Sequence, residues 1–129
     1  MAEERGKDEA AMIFEKILEE IAERAEGVQG VVIMGMDGIA IGERIIDPSC
    51  SIQTVGIEYA SAIKSIQKAA VSLSAGDVHE VIVNTSSNVI LLRLITPEYF
   101  IALALSPDGN YGKARYLLRM AVPKLVQEF

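Results

Sequence analysis

The chain has 129 residues, half of them hydrophobic, and a formal net charge of −6 at pH 7. Its length suits a single domain over residues 1–129 with a core of its own. The acidic balance argues against nucleic acid as a partner, because binding to phosphates needs a basic surface. Each apolar run ends short of the roughly 18 residues that a membrane span needs, and the charged N-terminus does not resemble a signal peptide. Together with the single cysteine, Cys50, these features predict a cytoplasmic protein.

An acidic amphipathic helix is predicted from about Glu9 to Ala25. Its apolar residues recur every three or four positions and form one stripe, made of Ile13, Phe14, Ile17, Leu18, Ile21 and Ala25. Residues 1–28 hold nine acidic and four basic side chains, so the opposite face is strongly negative. That face is either solvated or a docking surface for a basic partner. Residues 1–8 are mostly charged and are predicted to be disordered.

Two apolar runs, predicted as strands from Val28 to Met34 and from Ile39 to Ile46, flank Met36-Asp37-Gly38. Glycines recur through this stretch, as they do in loops that bind phosphate. Such a loop needs either a Lys-Ser or Lys-Thr pair after its last glycine, or a helix directly behind it. Neither is present here, and Asp-Gly is typical of a tight turn between antiparallel strands. The stretch therefore predicts a β-hairpin and no nucleotide site.

The remaining chain contains two further helices and three further strands. Their predicted bounds are a helix from about Ile52 to Ser74, strands Val78 to Thr85, Val89 to Thr96 and Tyr99 to Ser106, and a helix from about Tyr111 to Glu128. The last two strands are apolar on both faces, which is typical of strands covered from both sides. The α-β-β-α-β-β-β-α order predicts an α+β fold, with helices on both faces of one five-stranded antiparallel sheet.

Residues able to carry chemistry are few. His79 is the only histidine and Cys50 the only cysteine, and these two cannot supply the three or four ligands of a zinc site. His79 is expected at a solvent edge or in packing, and Cys50 as a small half-buried residue before the second helix. No catalytic residue, metal or cofactor is predicted, and the chain is interpreted as a binding protein.

The second helix is predicted to present three faces. Its sheet-facing stripe would be Ile52, Val55, Tyr59, Ile63, Ile66, Ala70 and Leu73. A flank of mostly small residues follows, made of Gly56, Ala60, Gln67 and Val71, and beyond it lies an exposed strip of Ile57, Ser61, Lys64 and Lys68. The flank is either buried by the same chain or packs against the same helix of a second copy, because small residues let helices approach closely.

The third strand favours the second copy. It is predicted at an edge of the sheet, and its sequence HEVIVNT lacks the proline or lysine that usually protects an exposed edge. Pairing this edge with its own copy would give a two-fold homodimer with one continuous sheet. The predicted dimer interface comprises Gly56, Ala60, Ile63, Gln67, Val71, Val81 and Val83.

The chain also resembles the roadblock/dynein light chain family, which includes MglB-like partners of small Ras-type GTPases. The resemblance rests on the element order, on GVQGVVIMGMDGIAIGE at 27–43, on EVIVNTSSNVILLRLITPEYFIALALSPDGNYGKAR at 80–115, and on the helix between them. It implies a roadblock/profilin-like fold, with the first and third helices on one face of the sheet and the second on the other. It also implies a homodimer through the second helix and third strand.

The same resemblance implies a non-catalytic platform that binds a small Ras-like GTPase and can promote its GTP hydrolysis without an arginine finger. The GTPase-binding positions it suggests lie on the second helix and are Ile57, Ala60, Ser61, Lys64 and Lys68. Two alternatives remain open. One is a scaffold or light-chain-type subunit without effect on hydrolysis, and the other is a small-ligand sensor, which would need a closed apolar pocket with convergent polar groups.

Overall fold

The computed structural model describes the backbone of residues 2–129 and the side chains from residue 8 onward. Three helices and five strands follow one another in the predicted order. They are α1 (Ala2–Arg24), β1 (Val28–Gly35), β2 (Ala40–Ile45), α2 (Ile52–Ser72), β3 (Glu80–Asn84), β4 (Val89–Thr96), β5 (Tyr99–Leu105) and α3 (Tyr111–Val126). The predicted α+β class and the five-stranded antiparallel sheet are confirmed.

Helix α1 begins at Ala2, earlier than the predicted start near Glu9. The added segment is rich in Ala, Glu, Arg and Lys, which have high helix propensity. The predicted disorder of residues 1–8 stays a prediction. Met1 lies outside the described residues.

The strands follow the order β2-β1-β5-β4-β3, and each neighbouring pair is antiparallel. Strands β2 and β3 are therefore the two edges, as predicted for the third strand. The three central strands are almost wholly buried, because both faces of the sheet are covered by helices. This arrangement explains their uninterrupted apolar sequences.

Alternate residues of β5 lie in two separate hydrophobic cores. Ile101, Leu103 and Leu105 point toward α1 and α3, whereas the set Phe100, Ala102 and Ala104 points toward α2. The first face is filled by large aliphatic side chains. The α2 face has two alanines, which leave room for a helix to lie close to the sheet.

The β1–β2 connection is the predicted hairpin. Gly38 has a φ of +85°, and its N–H donates to the carbonyl of Gly35 over 2.9 Å. The N–H of Ile39 donates to the side-chain oxygen of Asp37 over 3.1 Å. The turn leads into a strand that pairs antiparallel with β1, which confirms the predicted β-hairpin.

Candidate functional site: helix α2 and the β3 edge

Helix α2 is rotated about its axis relative to the prediction. Its buried residues are Ile52, Gly56, Ala60 and Ile63, so two members of the predicted flank in fact face the sheet. Two members of the predicted sheet-facing stripe turn outward instead, since Ile66 is 39% and Leu73 78% exposed. The predicted stripe was therefore wrong at those two positions, because helical spacing alone does not show which side of the apolar face rests on the sheet.

Close approach of the helix to β1 causes this rotation. A Cβ on Gly56 would lie 2.8 Å from the Met34 sulfur and 3.5 Å from Cγ1 of Val32. The absence of a side chain at Gly56 lets the helix rest directly on buried side chains of β1. Ala60 continues this line and is only 3% exposed.

Because of this packing, some residues of the predicted dimer interface are buried within the protomer and others are accessible to a partner. Gly56, Ala60 and Ile63 are covered by the protomer's own sheet, so they support the helix from behind and are not open to a partner. Gln67 is half-buried, and its Nε2 donates to the carbonyl of Pro97 over 3.2 Å. Val71 is 77% exposed.

The predicted GTPase-binding positions likewise include both exposed and buried residues. Ile57, Ser61, Lys64 and Lys68 are all exposed on the outer side of α2. Ala60 faces the sheet, so its placement among the partner-contacting residues was a wrong expectation. The four exposed positions follow one another at intervals of three or four residues and therefore occupy one face of the helix.

An apolar strip lies between α2 and the edge of the sheet. Helix α2 packs mainly against β1, β2 and β5, and the side chains of β3 on the same face of the sheet are only half-buried. Four half-buried residues, Val55, Tyr59, Val81 and Val83, pack against the α2 core from this side. We call these four residues the α2–β3 strip.

Edge strand β3 borders this strip. It pairs with β4 alone, so the backbone groups on its other side have no strand partner within the described chain. Val81 and Val83 lie opposite the α2-facing residues Leu92 and Ile90, while Ile82 packs toward α1 and α3. An unpaired edge next to half-buried apolar side chains is a suitable surface for another strand and helix.

Cys50 and His79 are the two residues that the sequence singled out for possible chemistry. Burial raises the pKa of the Cys50 thiol, and the nearby Asp47 carboxylate raises it further. The backbone N–H and the hydroxyl of Ser49 lower the pKa of Asp47. A reactive thiolate needs the opposite environment. His79 is exposed just before β3. The described residues include no group of three His, Cys, Asp or Glu placed to hold a metal.

An ion-pair network that the sequence did not predict lies beside β3, on the face of the sheet that α1 and α3 cover. Glu80 accepts from Nη1 of Arg93 over 2.9 Å and from Nε of Arg115 over 2.8 Å. Glu80 and Arg93 are paired across β3 and β4, while Arg115 comes from α3. Only the strand register brings the first pair together, so the sequence alone carried no signal for it.

One pocket bears on the sensor alternative. It has a volume of about 370 Å³ and lies between the end of α2 and the β4–β5 turn, lined by residues that include Gln67, Val71, His79, Leu94 and Thr96. It opens to solvent instead of forming the closed apolar cavity that the alternative required.

Comparisons with known proteins show which solved structures the chain is similar to. No family model and no curated protein matches it. MglC from Myxococcus xanthus is 37% identical, and the match covers 91% of this chain and 99% of that one with a TM-score of 0.65. A Roadblock/LC7 domain from Streptomyces avermitilis is 16% identical over 86% and 92% of the two chains, with a TM-score of 0.76. Gliding protein MglB from Thermus thermophilus is 15% identical over 93% and 88%, with a TM-score of 0.78.

The two distant structures share the fold, and the closer sequence similarity to MglC extends over almost all of both chains. Within the described part of the chain, every helix is too short or too polar to cross a membrane. The element order, the placement of the helices and the MglC comparison lead to one conclusion: the chain belongs to the roadblock/LC7 family of domains.

Proposed function

We propose that the protein is a non-catalytic, homodimeric platform that binds a small Ras-like GTPase. The observation that carries the proposal is the unpaired β3 edge beside the α2–β3 strip, in a fold shared with MglC and MglB. Among the described residues, no catalytic constellation accompanies this surface. Its chemistry is suited to holding a partner rather than to transforming a substrate.

The dimer forms when β3 pairs antiparallel with β3 of a second copy. Pairing satisfies the open backbone groups of both edges and joins the two sheets. It also brings the two α2–β3 strips together, so that Val81 and Val83 become buried against the partner. Gln67 and Val71 take part from α2, while Gly56, Ala60 and Ile63 hold that helix in place from the core side.

The GTPase binds the outer face of α2. Ile57 is 49% exposed and supplies an apolar contact, and Lys64 and Lys68 supply positive charge in a protein whose net charge is −6. A two-fold axis beside α2 would place two such faces next to each other. Lysines lack the planar fork of an arginine finger, so we propose that any acceleration of GTP hydrolysis acts by repositioning groups of the GTPase itself.

Binding measurements with charge-reversal variants test the GTPase surface. The double variant K64E/K68E should lose binding to a Ras-like GTPase encoded near this protein and loaded with a GTP analogue. The matched control is K16E/K124E, which makes the same charge change at exposed lysines of α1 and α3. Equal binding by both variants would refute the proposed surface.

Single-turnover hydrolysis then separates two functions. An increased rate with wild-type protein, lost in K64E/K68E, supports a regulator. Unchanged hydrolysis with intact binding supports the scaffold or light-chain-type alternative. Ser61→Arg is the steric test of the same face, because Ser61 is exposed and its replacement leaves the core untouched.

A further inference from the structure

A basic pocket lies on the opposite face of the sheet from α2. It has a volume of about 350 Å³ and is formed where α3 passes beside β3 and β4. Its lining is Glu80, Arg93, Tyr111, Gly112, Arg115, Tyr116 and Arg119. These residues lie outside the proposed GTPase surface and outside the α2–β3 strip, and Glu80 is the only one of them that belongs to β3.

Helix geometry gathers the basic side chains. Tyr111, Arg115 and Arg119 are spaced four residues apart and form one row along α3. Helix α3 packs mainly against β4, and its Arg115 reaches Glu80 at the start of the edge strand β3. The row therefore borders a step in the surface, and the pocket occupies that step.

Charge in the pocket is unbalanced. Glu80 is the only acidic residue of the lining, and it already bridges two guanidinium groups, those of Arg93 and Arg115. Arg119 is exposed and forms no ion pair with the described side chains. The lining therefore holds three guanidinium groups and one carboxylate, a surplus of two positive charges in a protein whose net charge is −6.

The Glu80 carboxylate also fixes the donors. Its side chain is only 15% exposed and that of Arg93 21%, so this ion pair is held by its surroundings. Guanidinium groups oriented in advance bind an oxyanion with less loss of conformational entropy. A purely structural ion pair would need Glu80 and Arg93 alone, whereas here two further arginines border the same cavity.

We propose that this pocket binds the phosphate monoester group of a ligand. A phosphate monoester carries close to two negative charges at neutral pH and accepts bidentate hydrogen bonds from arginine. Its charge matches the surplus in the pocket. Tyr111 and Tyr116 also line the pocket, and a tyrosine side chain carries a hydroxyl donor. The acidic residues of α1, on the same face of the sheet, disfavour an extended polyanion. The phosphate comes either from a phosphorylated protein side chain or from a small phosphorylated molecule.

Amide-shift titration by NMR of the full chain tests the site at constant ionic strength. The probes are inorganic phosphate, a phosphoserine peptide and, as a control, acetate. We expect saturable shifts confined to Glu80, Arg93 and the residues from Tyr111 to Arg119. Arg119→Gln should weaken phosphate binding by about tenfold or more, whereas Lys124→Gln, the same charge change elsewhere on α3, should leave it unchanged.

The outcomes separate cleanly. A phosphoserine peptide that binds more tightly than phosphate supports a protein source of the group, and equal affinities support a small molecule. Shifts that do not saturate, that acetate reproduces, or that Lys124→Gln weakens as much as Arg119→Gln would overturn the proposal. In that case the arginines serve the fold alone. Arg119→Lys adds a geometric test, because it keeps the charge and removes the bidentate fork.

Discussion

Gly56 of helix α2 lies directly over Met34 of strand β1, so closely that a Cβ on the glycine would come within 2.8 Å of the methionine sulfur. This contact determines which side of α2 faces the sheet. It places Ile57, Ser61, Lys64 and Lys68 on the outside and leaves the α2–β3 strip at the margin. The proposed partner surfaces therefore depend on a glycine that touches no partner.

A large side chain at Gly56 should disturb this packing. Gly56→Leu inserts a branched side chain against the fully buried Met34, and overpacking of a core costs about 1–3 kcal/mol. Denaturant unfolding measures the loss. Ser61→Leu is the matched control on the exposed side of the same helix and should change the unfolding free energy by less than about 0.5 kcal/mol. Equal effects of the two substitutions would contradict the assigned orientation of α2.

The ion-pair network under β3 should contribute to stability. Glu80→Gln removes the charge that bridges Arg93 and Arg115 and leaves the partly buried Arg93 guanidinium without its counter-ion, so we expect a loss of about 1–3 kcal/mol. Glu20→Gln makes the same change in the exposed Glu20–Arg24 pair of α1 and should cost less than about 0.5 kcal/mol. Thermal or denaturant unfolding of both variants provides the comparison. A smaller loss for Glu80→Gln than for Glu20→Gln would show that the network is not structural.

Cys50 should react slowly with alkylating reagents. Burial first and the Asp47 carboxylate second raise the pKa of its thiol, so the reactive thiolate forms only at a higher pH than for an ordinary cysteine. The rate of iodoacetamide modification as a function of pH measures this pKa. Asp47→Asn removes the negative charge and should move the midpoint to lower pH. A midpoint below that of a free thiol, or one that Asp47→Asn moves upward, would rule out this environment.

Most of the architecture could be predicted from local patterns. The Asp37-Gly38 turn, the apolar runs of β4 and β5, and the stripe of α1 specify elements through backbone preference and hydrophobic periodicity, which act over a few residues. The rotation of α2 could not be predicted in this way. It depends on contact between Gly56 and Met34, which are far apart in the sequence.

The candidate sites also include one feature that the sequence predicted and one that it did not. The unprotected sequence of β3 predicted an open edge, and the structure places it there. The basic pocket was not predicted, because Arg93 and Arg115 converge on Glu80 only through strand register and helix placement. A sequence pattern can identify a helix face, but it cannot show which residues of distant elements meet.

The measurement that tests the central claim most directly is the mass in solution by light scattering after size exclusion. The monomer mass is 14.0 kDa, and the proposed β3 pairing predicts twice that value for the wild-type protein. Val83→Lys places a charge beside the paired edge and should yield a monomer, whereas Ile41→Lys, at an exposed position of the other edge strand, should remain a dimer. A monomeric wild type, or a Val83→Lys variant that stays dimeric, would contradict the account.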